Sequence, residues 1–155
     1  MRKLIVLILA AAMVLSLAAC GNAEQPAAKS VDLQAMYAGF ESTLPAMMVL
    51  DEGTMMNFLG ISAEDCTQVV AAICADGLRA DEIWLIEAKD TAALEKLTAL
   101  ANTRLTAKLD ETVSYNPEQY LVCEKGEILT NGLYLAFLVS PDVDTFKASF
   151  EAAFN

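Results

Sequence analysis

The chain has 155 residues, 21 acidic and 10 basic, with a formal net charge of −11 and no histidine. That length suits one domain with a short tether. The acidity argues against nucleic-acid binding, which runs on phosphate neutralisation by Lys and Arg. The missing imidazole excludes Ser-His-Asp and Cys-His nucleophile sites in their ordinary form, and the common His-containing zinc sites.

At the start of the chain, Arg2 and Lys3 precede an apolar run, Leu4 to Leu17, that ends in Leu17-Ala18-Ala19-Cys20. Charge, short apolar segment and small residues before a cleavage point are the parts of a secretory signal. A cysteine directly after Leu-Ala-Ala makes it resemble the bacterial lipoprotein type. The resemblance implies removal of residues 1–19, diacylation of Cys20 and attachment to the extracytoplasmic face of the cell membrane. Two acyl chains hold a protein there stably, where one does so only marginally. The competing reading, an uncleaved spanning helix, needs about 20 apolar residues and leaves the cysteine unexplained. The leader takes two of the ten basic residues and none of the acidic ones. The mature part is therefore more acidic still, and anionic lipid repels it. Attachment then rests on the acyl chains, and the acidity reads as a solubility feature.

Residues 20–31 are small and polar without periodicity, and read as a flexible tether. Residues 32–155 read as a single domain. Leu33, Met36, Tyr37 and Phe40 have amphipathic-helix spacing, predicting a helix over 32–43 that stops before Pro45. A short helix over 52–59 ends at Gly60, a candidate C-terminal cap. Met36, Met47, Met48, Met55 and Met56 crowd this region. A copper(I) thioether site is the sharp interpretation, adaptable apolar packing the plain one, and no cofactor is assigned. Residues 62–75 are ambiguous. Cys66, Val69, Val70, Ile73 and Cys74 make a helical stripe, with Ser62 and Asp65 resembling a capping box. Val69 to Ala75 also reads as a buried strand ended by Asp76-Gly77. Periodicity alone favours the helix. Cys66 and Cys74 could bridge only across a turn, so Cys66, Cys74 and Cys123 are taken as unpaired thiols.

Ile83 to Ile86 is strand-like, with Trp84 a core residue. Asp90 caps a long helix over 91–115, with Leu94, Leu97, Ala101, Leu105 and Leu109 on one face. Asn116-Pro117 ends it. Residues 127–139 carry a hairpin signal, with Asn131-Gly132 as the two-residue turn. After Pro141-Asp142 a last helix presents Val143, Phe146, Phe150 and Phe154. Asp142 and Asp144 read as cap and dipole partners rather than calcium ligands. The acidic pairs Asp51-Glu52, Glu64-Asp65 and Asp81-Glu82 place no two carboxylates together for acid–base work.

Ala80-Asp81-Glu82-Ile83, the long helix, Tyr115-Asn116-Pro117-Glu118-Gln119-Tyr120 and Gly132-Leu133-Tyr134 together resemble a family of uncharacterised lipoproteins from Gram-positive, mostly anaerobic gut bacteria. That family is known only as a domain of unknown function. The resemblance covers roughly the last two thirds of the chain and departs at Leu133, where the family tends to have Asn in a Gly-Asn-Tyr motif. It implies a strand, not a helix, before Trp84, and no activity.

The fold expected is a small two-layer α+β domain. It has about four antiparallel strands with packed helices, in the order α-α-β-β-α-β-β-α. Tyr115, Pro117 and Tyr120 form the candidate partner surface, since tyrosine is favoured at interfaces. Their structural alternative is a proline stop with both rings folded onto the core. The leading functional expectation is a non-catalytic, membrane-anchored module that binds a protein or envelope partner. The second is a small-molecule-binding lipoprotein with a Met/Leu-lined pocket. An enzyme built on Ser, Thr, Lys or carboxylates comes third, for want of a catalytic constellation.

Overall fold

A computed structural model describes residues 30–155. Cys20, the leader and all but the last residues of the tether lie outside the described residues. In chain order the elements are α1 (Leu33–Phe40), β1 (Met47–Val49) and α2 (Glu52–Thr54), which continues as a π-helical turn (Met55–Leu59). A short 3-10 turn (Ala63–Asp65), β2 (Cys66–Cys74), β3 (Glu82–Ala88) and α3 (Thr91–Tyr115) follow. The chain closes with α4 (Pro117–Glu124), β4 (Glu127–Asn131), β5 (Tyr134–Val139) and α5 (Val143–Ala152). The five strands form one antiparallel sheet in the order β1-β2-β3-β5-β4. The α+β class and the antiparallel sheet are therefore as expected, with one more strand.

The additional strand is β1. It is three residues long, sits at the sheet edge and pairs Met47 with Cys74. Three residues between Pro45 and Asp51 are too few to show a period. Short edge strands also limit unwanted pairing with other chains.

The layering differs from the expected two. Helices cover both faces of the sheet, because β3 and β5 are buried at nearly every position. Strands buried on both faces read as continuous apolar runs and need cover on each side. On the first face, Trp84, Ile86, Leu135 and Phe137 pack under α3, α4 and the π turn. The Trp84 and Phe137 rings stack at 4.5 Å, and Trp84 is core as expected. On the second face, Ile83, Leu85, Ala136 and Leu138 pack under α1 and α5.

Residues 66–74 form a strand, so the helical period over 62–75 misleads. Strand β2 pairs with β1 and β3 along its length, and pairing outweighs an apolar stripe that fits either period. The family resemblance pointed the right way here. Ser62 makes no side-chain capping bond, so the capping box is also absent. Cys66 and Cys74 lie at opposite ends of this strand, about 26 Å apart at strand rise, and all three described thiols are free. Burial and the nearby Asp65 carboxylate push the Cys66 thiol up to about 11.

Helix α3 runs over the span expected, capped by Asp90, whose carboxylate accepts from Ala93 N–H at 2.8 Å. Gly60 has φ +74° and closes the π turn, as a C-terminal cap should. The hairpin turn is shifted by one residue from Asn131-Gly132. Asn131 pairs with Tyr134, leaving Gly132 and Leu133 as the turn. Gly132 alone has positive φ there, +57°. Glycine first in a two-residue turn is the arrangement that spares Leu133 a left-handed conformation. Asp142 precedes α5 but makes no side-chain capping bond, so its expected capping role is not seen.

Candidate functional site

One structural feature was hidden in the sequence. Glu82 begins β3, and its side chain is fully buried on the first face, two residues before Trp84. Trp84 Nε1–H donates to Glu82 Oε1 at 2.9 Å. Arg104 donates from Nε to both carboxylate oxygens, at 3.0 and 3.1 Å, and from Nη2 to Oε2 at 2.8 Å. Lys108 Nζ lies 2.9 Å from Oε2. Arg104 and Lys108 are four residues apart on α3, so one helix face delivers both cations. Burial pushes the Arg104 guanidinium down, but the bonds and charge of Glu82 outweigh it and the net shift is upward. The exposed Phe58 ring covers the guanidinium from outside, 5.0 Å to its centroid. The signal in the sequence was an acid opening an apolar strand together with two cations at helical spacing. Neither half singles itself out alone.

The cluster borders a cleft of about 250 Å³ between the β2–β3 turn and the joint of α3 and α4. Lys108, Glu111 and Tyr115 supply one wall from the last turns of α3. Leu78 and Arg79 supply the other. The joint is built by Asn116-Pro117. The Asn116 carboxamide oxygen accepts from Gln119 N–H, and proline takes the first helical position, where its missing N–H costs nothing. What was read as a stop is a restart, and α4 follows at once. The same joint clamps the opposite turn. Asn116 Nδ2 donates to Leu78 O at 3.1 Å, and Ala80 N–H donates to Gln119 Oε1 at 2.7 Å. Arg79 Nε donates to the buried Asp81 at 2.9 Å, and that bond raises the guanidinium's pKa further.

The three candidate surface residues separate. Tyr115 ends α3, lines the cleft and is 91% exposed, so its ring does not fold onto the core. Pro117 is exposed and Tyr120 half-buried, and both lie outside the cleft lining. The Tyr120 hydroxyl bonds Glu124 one turn on, which raises its pKa. Leu78, 78% exposed on the facing turn, belongs with Tyr115 but lacks any sequence signal. The methionines do not gather into one group. Met55 is buried in the first face, whereas Met36 and Met47 pack against the second. Cys123 is buried beside Lys108 and Thr112, and burial pushes its thiol up. No helix among the described residues is long and apolar enough to cross a membrane.

No curated protein and no solved structure matches the chain. The model of one family matches residues 41–140, which take in all five strands, α3, α4 and every residue of the cleft. The chain belongs to that family, described as Domain of unknown function (DUF4358).

Proposed function

We propose that the protein is a non-catalytic binding module, held at the extracytoplasmic face of a membrane by a lipid on Cys20. Its recognition face is the α3–α4 joint, and its partner a protein or another envelope component. The observation that carries the recognition half is the pairing of two exposed apolar side chains, Tyr115 and Leu78, across a cleft whose backbone is clamped by Asn116 and Gln119. A rigid frame presenting an aromatic anchor is what interfaces use. The anchoring half rests on Leu17-Ala18-Ala19-Cys20 and the basic, apolar leader before it.

A fatty-acid probe fed to producing cells should label the wild-type chain and leave Cys20→Ala unlabelled. Labelling of the variant would remove the anchor. Purified Cys20→Ala chain should bind envelope preparations saturably, and the added pair Leu78→Ser and Tyr115→Ala should cut that binding at least tenfold. Equal binding by both chains would remove the recognition face.

A second reading places a small molecule in the same cleft. Lys108 favours it, being a nearly buried cation on the cleft wall. The cleft is not the Met/Leu-lined pocket expected from the sequence. No methionine lines it and Leu78 is its one leucine, and its volume falls just below the roughly 300 Å³ at which ligand pockets begin.

A further inference from the structure

Lys108 has more hydrogen-bonding capacity than the protein uses. Its side chain is 9% exposed, and it lines the cleft. An ammonium has three N–H donors. Its ion pair with Glu82, at 2.9 Å, engages one side of that ammonium, and no other ion pair or hydrogen bond from Nζ is found among the described residues. The neighbouring groups share the pattern. The Gln119 carbonyl oxygen is committed to Ala80 N–H, which leaves its amide NH₂ to donate. Arg79 spends Nε and Nη2 on Asp81 and keeps Nη1. Three donor groups thus border one cleft.

The charges are arranged as well. The cleft lining carries two cations, Lys108 and Arg79, inside an otherwise acidic chain. The acid on the cleft wall is Glu111, exposed and close enough to act on Arg104. Two cations, one acid and two apolar side chains match a zwitterion with an apolar group. A simple carboxylic acid would meet Glu111 unpaired. A volume of 250 Å³ holds about eight water-sized groups, the bulk of leucine.

We infer that the cleft binds a free α-amino acid with an apolar side chain. Lys108, Gln119 and Arg79 take its carboxylate, Glu111 takes its ammonium, and Leu78 and Tyr115 cover its side chain. This rests on the small-molecule reading of the same cleft.

Titration calorimetry on the full chain in detergent tests it with three probes: L-leucine, 4-methylpentanoate, which lacks the ammonium, and 3-methylbutylamine, which lacks the carboxylate. Leucine should bind at least tenfold more tightly than either analogue. Glu111→Gln alters an exposed side chain and should preserve the melting temperature. It should weaken leucine at least tenfold and leave 4-methylpentanoate no weaker. Absence of leucine binding at millimolar concentration overturns the assignment. So does equal affinity for leucine and 4-methylpentanoate, or unchanged leucine affinity in Glu111→Gln. Envelope binding by the Cys20→Ala chain distinguishes the two failures. If it survives while leucine fails, the amino acid is wrong and the recognition face stands.

Discussion

The two faces of the sheet are covered in different ways. On the second face the cover is aromatic. Phe40 and Phe146 meet at 4.5 Å, Phe150 and Phe154 at 5.1 Å, and Tyr134 lies 5.0 Å from Phe154. Its polar contacts serve to fasten the incoming chain: Tyr134 Oη accepts from Val31 N–H, and Gln68 accepts from Leu33 N–H and donates to Val31 O. On the first face the same strands bury an ion cluster, and the cover opens into a cleft beside it. Alternation along a strand lets one sequence meet both demands, since neighbouring residues point to opposite sides. Aromatic packing seals a face. Buried ions fix where a helix sits, and they are tolerated only when fully paired. The Glu82 cluster meets that condition, with no buried side-chain polar atom left unsatisfied among the described residues.

This contrast can be broken most forcefully at Glu82. Glu82→Gln strands two cations under α3 and should cost about 3–5 kcal/mol in chemical denaturation. Phe146→Ala on the second face should cost a similar ~3–5 kcal/mol through cavity formation. The sharper comparison is repair. Converting Glu82, Arg104 and Lys108 together to Leu, Leu and Met should recover most of the loss from Glu82→Gln, because apolar residues of similar volume often replace buried ions without penalty. No such companion change exists for Phe146. Failure of the triple variant to exceed Glu82→Gln in stability would mean that the cluster does more than satisfy its own charges.

A smaller effect is expected behind the first face. A Cβ on Gly126 would lie 2.7 Å from Leu105 Cδ1 and 2.9 Å from Cys123 O. Gly126→Ala should therefore cost about 1–3 kcal/mol by overpacking, read as a lowered denaturation midpoint. At Gly132 a Cβ meets nothing, and only the positive φ resists. Gly132→Val should cost about 1–2 kcal/mol, and an unchanged melting temperature would count against the turn. Smallest is an acid effect at Asp65. Hydrogen bonds from Lys96 and then Lys89 hold its carboxyl below the ordinary 3.8. A folded value below the unfolded one gives stability that is present above pH 3.8 and lost as pH falls toward the folded value. Asp65→Asn should flatten that part of the stability–pH curve, and an identical slope would contradict the pairing.

How much of this was legible depended on whether the signal was local. The long helix after Asp90, the cap at Gly60 and the aromatic face of α5 were all readable, because cap chemistry and helical spacing sit within one segment. Periodicity alone favours a helix at strand β2, since Cys66 to Cys74 fits both periods and only its partners decide, and the strand in the expected order came from the family resemblance. Helix α4 was missed because Asn116-Pro117 was read as an end, although the pair has the chemistry of a helix start. The Glu82 cluster could not be read. Its parts are 22 and 26 residues apart in sequence, and folding alone brings them together. Tyr115 was identified and Leu78 was not, because an exposed leucine in a turn acquires meaning only from what stands opposite.

The claim that the cleft end of the first face is where this protein meets its partner is tested most directly by a photo-crosslinking amino acid placed at position 115 in intact cells. The control is the same amino acid at position 145, on the exposed side of α5. The account predicts a discrete, saturable adduct from position 115 that excess purified Cys20→Ala chain suppresses, and none from position 145. Adducts of equal yield from both positions, or from position 145 alone, would contradict it.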